Sequence, residues 1–311
     1  MTWNPPTSSP PGTGSDGAAV AHRCGYVALV GRPNAGKSTL FNALVGQRLS
    51  IVTPKPQTTR SRILGILTRP GSQVILLDTP GLLEPEYRLH QTMERQIEQA
   101  ARQADLALLL LDATRPLDRQ ELVRRFLDGN RLPVLGLLNK CDLLETGRAQ
   151  EECGALAVAL GLPEVWAISA LRGDNLDLVL QRLEALLPAG PPLYPEEMVA
   201  EQPERFFVAE LVREACFGQL EDELPYALTV TIEEFREQPG KTYVKAVLHV
   251  ERESQKGIVI GQRGNRLRAI GTAARAQVEE LLGTPVYLDL WVKVRPGWRR
   301  KDKDLKEFGY L

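Results

Sequence analysis

The stretch Gly31-Arg-Pro-Asn-Ala-Gly-Lys-Ser38 lies between the apolar run YVALVG and a helical pattern that opens at Lys37, and it limits this chain more than any other feature. Glycines at 31 and 36 allow backbone angles that a side chain disfavours, so the loop can curl with its N–H groups pointing inward at an anion. The G-x-x-x-x-G-K-[ST] spacing puts an ammonium and a hydroxyl at the mouth of the same cradle. Such a cradle needs a strand to end where a helix begins, which predicts a strand–loop–helix unit with a phosphate group as ligand.

The same alternation runs through the first half of the chain. Apolar runs RILGIL, QVILLD, DLALLLLDA, PVLGLLNK and VWAIS are separated by helical patterns near Gln91–Arg102, Arg119–Leu127, Gln150–Leu160 and Asn175–Leu187. Strands this apolar are covered on both faces, so residues 23–187 read as an α/β domain with a mostly parallel sheet. Five prolines between Pro188 and Pro203 can neither continue a helix nor enter a central strand, and this segment reads as a linker. Residues 204–311 read as a smaller α+β layer. Its order is a helix from about Glu204 to Cys216, strands in YALTVTIEEF and TYVKAVLHVE, a short helical turn, a helix over Asn265–Leu282 and a last strand VYLDLWVKV.

Further motifs surround the first loop. Asp78 ends QVILLD and is followed by Thr-Pro-Gly81, which predicts a carboxylate at a strand's C-terminal edge beside a magnesium ion and a flexible glycine near a γ-phosphate. Lys37 would neutralise β- and γ-oxygens and Ser38 would ligate Mg²⁺, while Gly31, Asn34, Ala35, Gly36 and Thr39 complete the cradle. Asn139-Lys-Cys-Asp142 ends PVLGLL and names the base. Asp142 offers two acceptors to the ring N–H and exocyclic amine that guanine carries and adenine lacks. Lys140 can lay its stem along the base, Asn139 can tie this loop to the phosphate loop, and Ser169-Ala170 would supply a backbone N–H to the guanine oxygen. Thr58 and Thr59, in KPQTTRSR, are the candidates for a threonine that reaches Mg²⁺ only while a γ-phosphate is present. Leu82 follows Gly81 where small GTPases carry a water-orienting glutamine, so intrinsic hydrolysis is expected to be slow without another contributor. Asn34 is either a ligand for a monovalent cation such as K⁺ or a loop stabiliser.

A second glycine pair, Gly261-Gln262-Arg263-Gly264, lacks the Lys-Ser/Thr that holds β/γ-phosphates, so it is not a second nucleotide site. It fits the G-x-x-G of a KH domain, where the backbone approaches nucleic-acid phosphates beside a groove for about four unpaired bases. Arg263, Arg266 and Arg268 supply charge there, whereas Ile258, Ile260, Leu267 and Ile270 read as core. The net charge of −1 hides an asymmetry: residues 236–311 carry sixteen Lys/Arg against nine Asp/Glu, so the preceding part holds an excess of eight acidic residues. The final run RPGWRRKDKDLKEFGY is either a solvated helix or an additional phosphate-contacting arm. Residues 1–22 are rich in Pro, Ser and Gly without a basic start or apolar core, and read as a disordered tail rather than a signal peptide. Four scattered cysteines without a C-x-x-C pair suit a reducing cytoplasm, and no apolar run is long enough to span a membrane.

GRPNAGKST, PQTTR, DTPGLL, NKCD and SALRG, followed by ELPYALTV, GIVIGQRG and LWVKVRPGWR, resemble the bacterial Era GTPases from about Tyr26 to Leu311. The single phosphate loop sets the chain apart from tandem GTPases, and the terminal KH pattern from tRNA-modifying relatives. The resemblance implies a P-loop GTPase domain followed by a type II KH domain. It makes Thr59 the metal-sensing threonine, so the implied catalytic set is Lys37, Thr59 and Gly81. It further implies RNA-stimulated hydrolysis of GTP to GDP and binding of single-stranded RNA near the 3′ end of 16S ribosomal RNA, and nothing in the sequence asks for more than a monomer. Action in small-subunit maturation is implied as well, with peripheral membrane association in some members.

Overall fold

The computed structural model describes residues 22–115, 120–145 and 147–311. The tail expected over residues 1–22 lies outside them but for His22, as does Arg119, where a helix was expected to begin.

The first unit contains strands β1 (Arg23–Gly31), β2 (Ile63–Arg69), β3 (Ser72–Asp78), β4 (Leu106–Asp112), β5 (Val134–Asn139) and β6 (Val165–Ala167). Their order is β2-β3-β1-β4-β5-β6, parallel throughout except where β2 runs against β3. Helices α1 (Lys37–Val45), α2 (Arg88–Gln103), α3 (Glu121–Gly129), α4 (Arg148–Leu160) and α5 (Leu176–Leu186) complete it. The central strands are buried on both sides, with Val27, Leu29, Leu76, Leu108 and Leu110 packing in one core and Ala28, Val30, Ile75, Leu77 and Leu109 in the other. Adjacent residues alternate between two layers, as a sheet covered on both faces requires.

The proline-rich segment is an ordered strap rather than a free linker. Val199 accepts from the Ile66 amide at 2.9 Å and Ala200 bridges Gly65, so the strap covers the open edge of β2. Gln73 is held at the same place, accepting from the Leu193 and Tyr194 amides and donating to the Tyr194 carbonyl. Prolines keep the strap from forming its own helix while its Val199 carbonyl satisfies an amide on the exposed sheet edge.

The second unit runs α6 (Glu204–Gln219), β7 (Thr229–Gln238), β8 (Lys241–Val250), α7 (Glu253–Ile260), α8 (Asn265–Leu282) and β9 (Val286–Val294). The short turn expected before the glycine pair is a two-turn helix, α7. The sheet order is β7-β8-β9, with β7/β8 antiparallel and β8/β9 parallel. Helices α6 and α8 cover one face of this sheet through Val208, Leu211, Val212, Ile270, Ala274 and Val278.

The C-terminal run is not a solvated helix. After a turn at Trp298–Arg300 and helix α9 (Asp302–Glu307) it packs onto α2, where Trp298, Leu305 and Tyr310 are buried with Leu89 and Met93. Spaced apolar residues in a highly charged sequence form one narrow stripe, and the stripe is what docks.

Candidate nucleotide site and nucleic-acid groove

The phosphate loop leaves β1 and enters α1 through two residues in left-handed conformation, Asn34 at φ 65° and Gly36 at φ 95°. At Gly36 a Cβ would lie 2.1 Å from Asn139 Nδ2, so the approach of the two loops leaves no room for a side chain. Lys37 is buried and donates to the Gly31 and Arg32 carbonyls at 3.3 and 3.2 Å, which points its ammonium back over the loop. Burial lowers its pKa to about 8, against the opposing pull of Asp78.

Four oxygen-bearing side chains converge beside Lys37. Ser38 Oγ donates to Asp78 Oδ2 at 2.8 Å and lies 3.0 Å from Thr59 Oγ1, while Ser50 Oγ donates to the same Asp78 oxygen at 2.6 Å. Asp78 is fully buried, its other oxygen Oδ1 has no hydrogen-bond partner, and burial raises its pKa. An orphaned carboxylate oxygen among hydroxyls is the donor set that suits a hard, oxygen-seeking cation, so Ser38, Thr59 and Asp78 fit Mg²⁺. Thr58, the alternative, instead faces Thr53 and the Lys55 carbonyl. A cavity of about 400 Å³ opens over these groups, with Lys37, Ser38, Thr59, Gly81, Asp112 and Lys140 in its wall.

The base end is assembled by one side chain. Asn139 Nδ2 donates to the Ala35 carbonyl at 2.8 Å and its Oδ1 accepts from the Ala170 amide at 2.9 Å, clamping the phosphate loop and the Ser169 loop together. The Ser169 amide donates to Asp174, so the amides of both residues assigned to the guanine oxygen are engaged inside the protein. Lys140, at φ 68°, pairs with Asp112 at 2.7 Å, which extends its stem along the cavity wall. For Asp112, burial alone would raise the carboxyl pKa, but the Lys140 and Thr114 hydrogen bonds outweigh it and lower it. The Asp142 side chain is 7% exposed and has Arg172 3.8 Å away. Asn34 Nδ2 donates to the Pro54 carbonyl at 2.7 Å, so this side chain ties the phosphate loop to the Thr59 loop. Leu82 donates its amide to the Gly31 carbonyl and packs its side chain into a groove with Ile97 and Phe126.

The loops at the nucleotide cavity are also those that hold the second unit. On the Thr59 side, Arg48 pairs with Glu214 at 2.6 Å, Lys55 donates to the Phe217 carbonyl at 2.7 Å, and Arg60 donates to Pro225, Tyr226 and Leu228 carbonyls at 3.1, 3.0 and 2.7 Å. After Gly81, the Arg299 guanidinium sits 4.9 Å from the Tyr87 ring centre and Arg88 grips Asp302 with two nitrogens. The sequence contains all of these cations, but nothing local distinguishes them from surface charges.

The second glycine loop joins α7 to α8 through Gly261 at φ 73°, Arg263 at φ 49° and Gly264 at φ 76°. A Cβ on Gly261 would lie 2.8 Å from Arg266 Cβ, whereas at Gly264 nothing lies within 4 Å. Gln262, Arg263, Arg266 and Arg268 are exposed around the loop, and Arg266 spends one nitrogen on the Ile258 carbonyl. Of the four residues read as core, Ile270 is buried, Ile260 and Leu267 are half-buried against the core, and Ile258 is 45% exposed; Leu267 also lines a groove between α8 and β9. Helix α8 is anchored on one stripe only, so its neighbouring apolar positions form a groove wall. Thr272, Arg275, Tyr287 and Leu290 also line that groove and were not singled out from sequence. The groove is shared by α8 and β9, whose two walls carry no common local signature.

A phosphate cradle, an oxygen set suited to magnesium and an Asn-Lys-x-Asp loop tied to that cradle, joined to a helix–glycine-loop–helix groove, define a GTPase with an appended KH domain. The family models agree: "50S ribosome-binding GTPase" matches residues 26–140 and "KH domain" matches residues 223–299. GTPase Era of Carboxydothermus hydrogenoformans is 40% identical over 94% of this chain and 99% of its own length, and GTPase Era of Synechocystis is 45% identical over 94% of each. Era crystallised with MgGDPNP and nucleotides 1506–1542 of 16S ribosomal RNA superposes with a TM-score of 0.89 at 40% identity, covering 93% of this chain and 99% of that one. A variant of Aquifex aeolicus Era bound to GDP and aluminium fluoride gives 0.88 over the same shares. The chain belongs to the Era GTPase family.

Proposed function

We propose that this protein is a GTP-operated switch that holds single-stranded RNA from the 3′ end of 16S ribosomal RNA during assembly of the small ribosomal subunit. One observation carries the coupling: the loops that meet the nucleotide, around Thr59 and after Gly81, are the loops bonded to the KH unit through Arg60 and Arg88. The working units are residues 23–187 and 204–311, with 188–203 as the strap between them.

Ser38, Thr59 and Asp78 would hold Mg²⁺, which when bound neutralises phosphate charge and fixes the orientation of the β- and γ-oxygens. Lys37 adds a second positive charge over the same oxygens, and Gly81 brings its backbone to the γ-phosphate. The Asp142 carboxylate selects guanine, with Asn139 and Lys140 setting its distance from the phosphate loop. Leu82 positions no water, so hydrolysis relies on charge supplied elsewhere, and a K⁺ ion beside Asn34 and the Pro54 carbonyl is the cation we assign to that role. A rate no faster in KCl than in LiCl would remove it. Thr59 engages only with GTP, its loop shifts Arg60, and Arg60 shifts the KH unit; the minor arrangement becomes the major one.

RNA enters at Gly261–Gly264, where the backbone meets phosphates, and its bases occupy the groove under Arg268. No described helix is long and apolar enough to cross a membrane. We place the protein in the cytoplasm as a monomer, with any membrane contact peripheral. The test is equilibrium binding of the host's 16S 3′-end RNA and a scrambled RNA, at fixed salt, with a GTP analogue and with GDP. Selective binding that needs the analogue is expected, with loss in Gly264→Asp; a Cβ there meets no atom but its φ of 76° strains a side chain, so thermal unfolding of the variant is compared with wild type. Equal weak binding of both RNAs in both states would remove the ribosomal role.

A further inference from the structure

The sheet of the KH unit has a second face, turned away from α6 and α8. Val244, Ala246, Leu248 and Val292 point to the helices, so the alternate residues of β8 and β9 point outward. One end of this outer face is covered by the C-terminal segment, through Phe308 against His249 and Tyr310 hydrogen-bonded to Thr229. At the other end Tyr287 is 64% and Trp291 53% exposed.

These rings are fixed in place. Asp289 Oδ2 accepts from Trp291 Nε1 at 2.9 Å and from the Tyr243 hydroxyl at 3.2 Å, so one carboxylate oxygen orients two aromatic side chains. Tyr243 and Tyr287 stack with ring centres 5.8 Å apart, and the Lys245 ammonium lies 5.7 Å from the centre of the Trp291 ring. Charges on the face are internally matched, with Glu233 binding both Lys245 and Lys293 and Glu234 binding Arg236. Its strength is therefore flat aromatic area held at low entropic cost rather than net positive charge.

The patch is continuous with the groove. Tyr287 belongs to both, since it also lines the cavity between α8 and β9, and β9 is one of the sheet's two edge strands. From Gly264 to Arg275 the groove follows about 16 Å of helix, room for about four nucleotides, and it ends beside Tyr287.

We propose that the outer face at Tyr287 and Trp291 is a stacking platform for single-stranded RNA, taking the nucleotides that leave the groove and turn around the edge of β9. The proposal rests on the RNA reading of the groove above. Aromatic platforms of this kind hold bases with little regard to sequence and without neutralising further phosphates.

The experiment compares four- and twelve-nucleotide RNAs of the 16S 3′ end, with GTP analogue present, on the full chain and on Trp291→Ala, Tyr287→Phe and Gly264→Asp. Trp291→Ala is expected to bind the twelve-mer roughly 5- to 100-fold more weakly, with an unchanged salt slope and an unchanged four-mer affinity. Tyr287→Phe keeps the ring and is expected to keep both affinities. If the twelve-mer binds Trp291→Ala and wild type equally, the platform is overturned, and likewise if isolated small-subunit proteins lose binding to this variant while the twelve-mer does not. Full binding of both RNAs by Gly264→Asp would instead overturn the groove reading. Superimposable thermal unfolding of Trp291→Ala and wild type separates lost stacking from lost folding.

Discussion

Arg60 donates to the Leu228 carbonyl at 2.7 Å, joining the residue next to Thr59 to the residue that leads into β7 of the other unit. The guanidinium is fully buried, and burial lowers its pKa. It still keeps a charge that a lysine in such a place would give up more readily. Three carbonyls and the Trp298 ring, 5.8 Å away, surround it, so it cannot shift without moving the turn at Leu224–Tyr226.

Arg60→Ala is therefore expected to flatten the dependence of RNA affinity on nucleotide. Where wild type separates GTP analogue from GDP, the variant should bind RNA equally in both, and RNA should no longer tighten GTP binding, because coupling is reciprocal. Loss of buried donors should cost about 2–4 kcal/mol. Arg60→Lys should recover part of the stability but little coupling, since one ammonium cannot fan to three carbonyls. Paired RNA titrations and urea midpoints check both; a retained nucleotide dependence in Arg60→Ala would place the coupling elsewhere.

Asp142→Asn exchanges an acceptor for a donor at the base. GTP affinity should fall roughly 10- to 100-fold, the worth of a lost charge-assisted hydrogen bond, while xanthosine triphosphate, which presents an oxygen where guanine presents its amine, should gain. The two affinities, measured by competition, should move in opposite directions. A parallel fall in both would mean that the substitution disturbs the Asn139 clamp rather than base recognition.

The nucleotide site was legible because each of its parts is a contiguous motif at a strand end. Gly31–Ser38, Asp78–Gly81 and Asn139–Asp142 each announce a turn and a chemistry within a few residues, and the parallel sheet brings their ends to one edge. Even the Asn139 tie to the phosphate loop follows from the residue type. What stayed hidden depends on partners far away in sequence. Arg60 looks like any loop arginine until Leu228 is beside it, 168 positions on. The strap over β2 reads as a linker because its bonds to Ile66 and Gln73 are made by its own backbone, and the partners of Tyr194 and Gln202 lie more than a hundred positions away. Trp298 sits in a strongly charged run, and its burial becomes visible only when α2 supplies Leu89 and Met93.

Trp298→Ala tests that burial. The indole is completely enclosed, stacked on Tyr310 with centres 5.9 Å apart, and its Nε1 donates to the Ala227 carbonyl at 3.0 Å. Truncation should cost about 3–5 kcal/mol through the cavity and the orphaned carbonyl. Because Arg60 borders the same ring, the loss should appear at the junction between the units. Limited proteolysis of the variant is expected to cut first on the C-terminal side of position 298, with the α/β unit remaining intact and nucleotide-bound. Unchanged thermal stability would contradict the packing seen here.

Acid sensitivity should concentrate at His249. Burial, with Lys293 and Arg295 nearby, pushes its pKa down to about 4, against the weaker pull of Glu233 and Glu307. Its Nε2 lies 2.9 Å from the Thr231 hydroxyl and its ring meets Phe308, so protonation would place a charge against an aromatic ring beneath two cations. In the unfolded chain the same imidazole takes its proton near 6.5. Above that pH both states are neutral and the histidine adds no pH dependence. Between about 6.5 and 4 the unfolded state binds one proton more, so stability falls as the pH falls, by up to about 1.4 kcal/mol per unit. His249→Gln cannot titrate and should lose less stability over that window. A carboxylate held by a cation away from His249, such as Asp302 with Arg88, adds its own acid loss at lower pH, but equally in both proteins. Urea unfolding at steps from pH 7.5 to 4.5 therefore isolates the histidine: the gap between the two stability curves should change by about 2.5 kcal/mol across the window. Parallel curves would show that His249 is protonated to the same extent folded and unfolded.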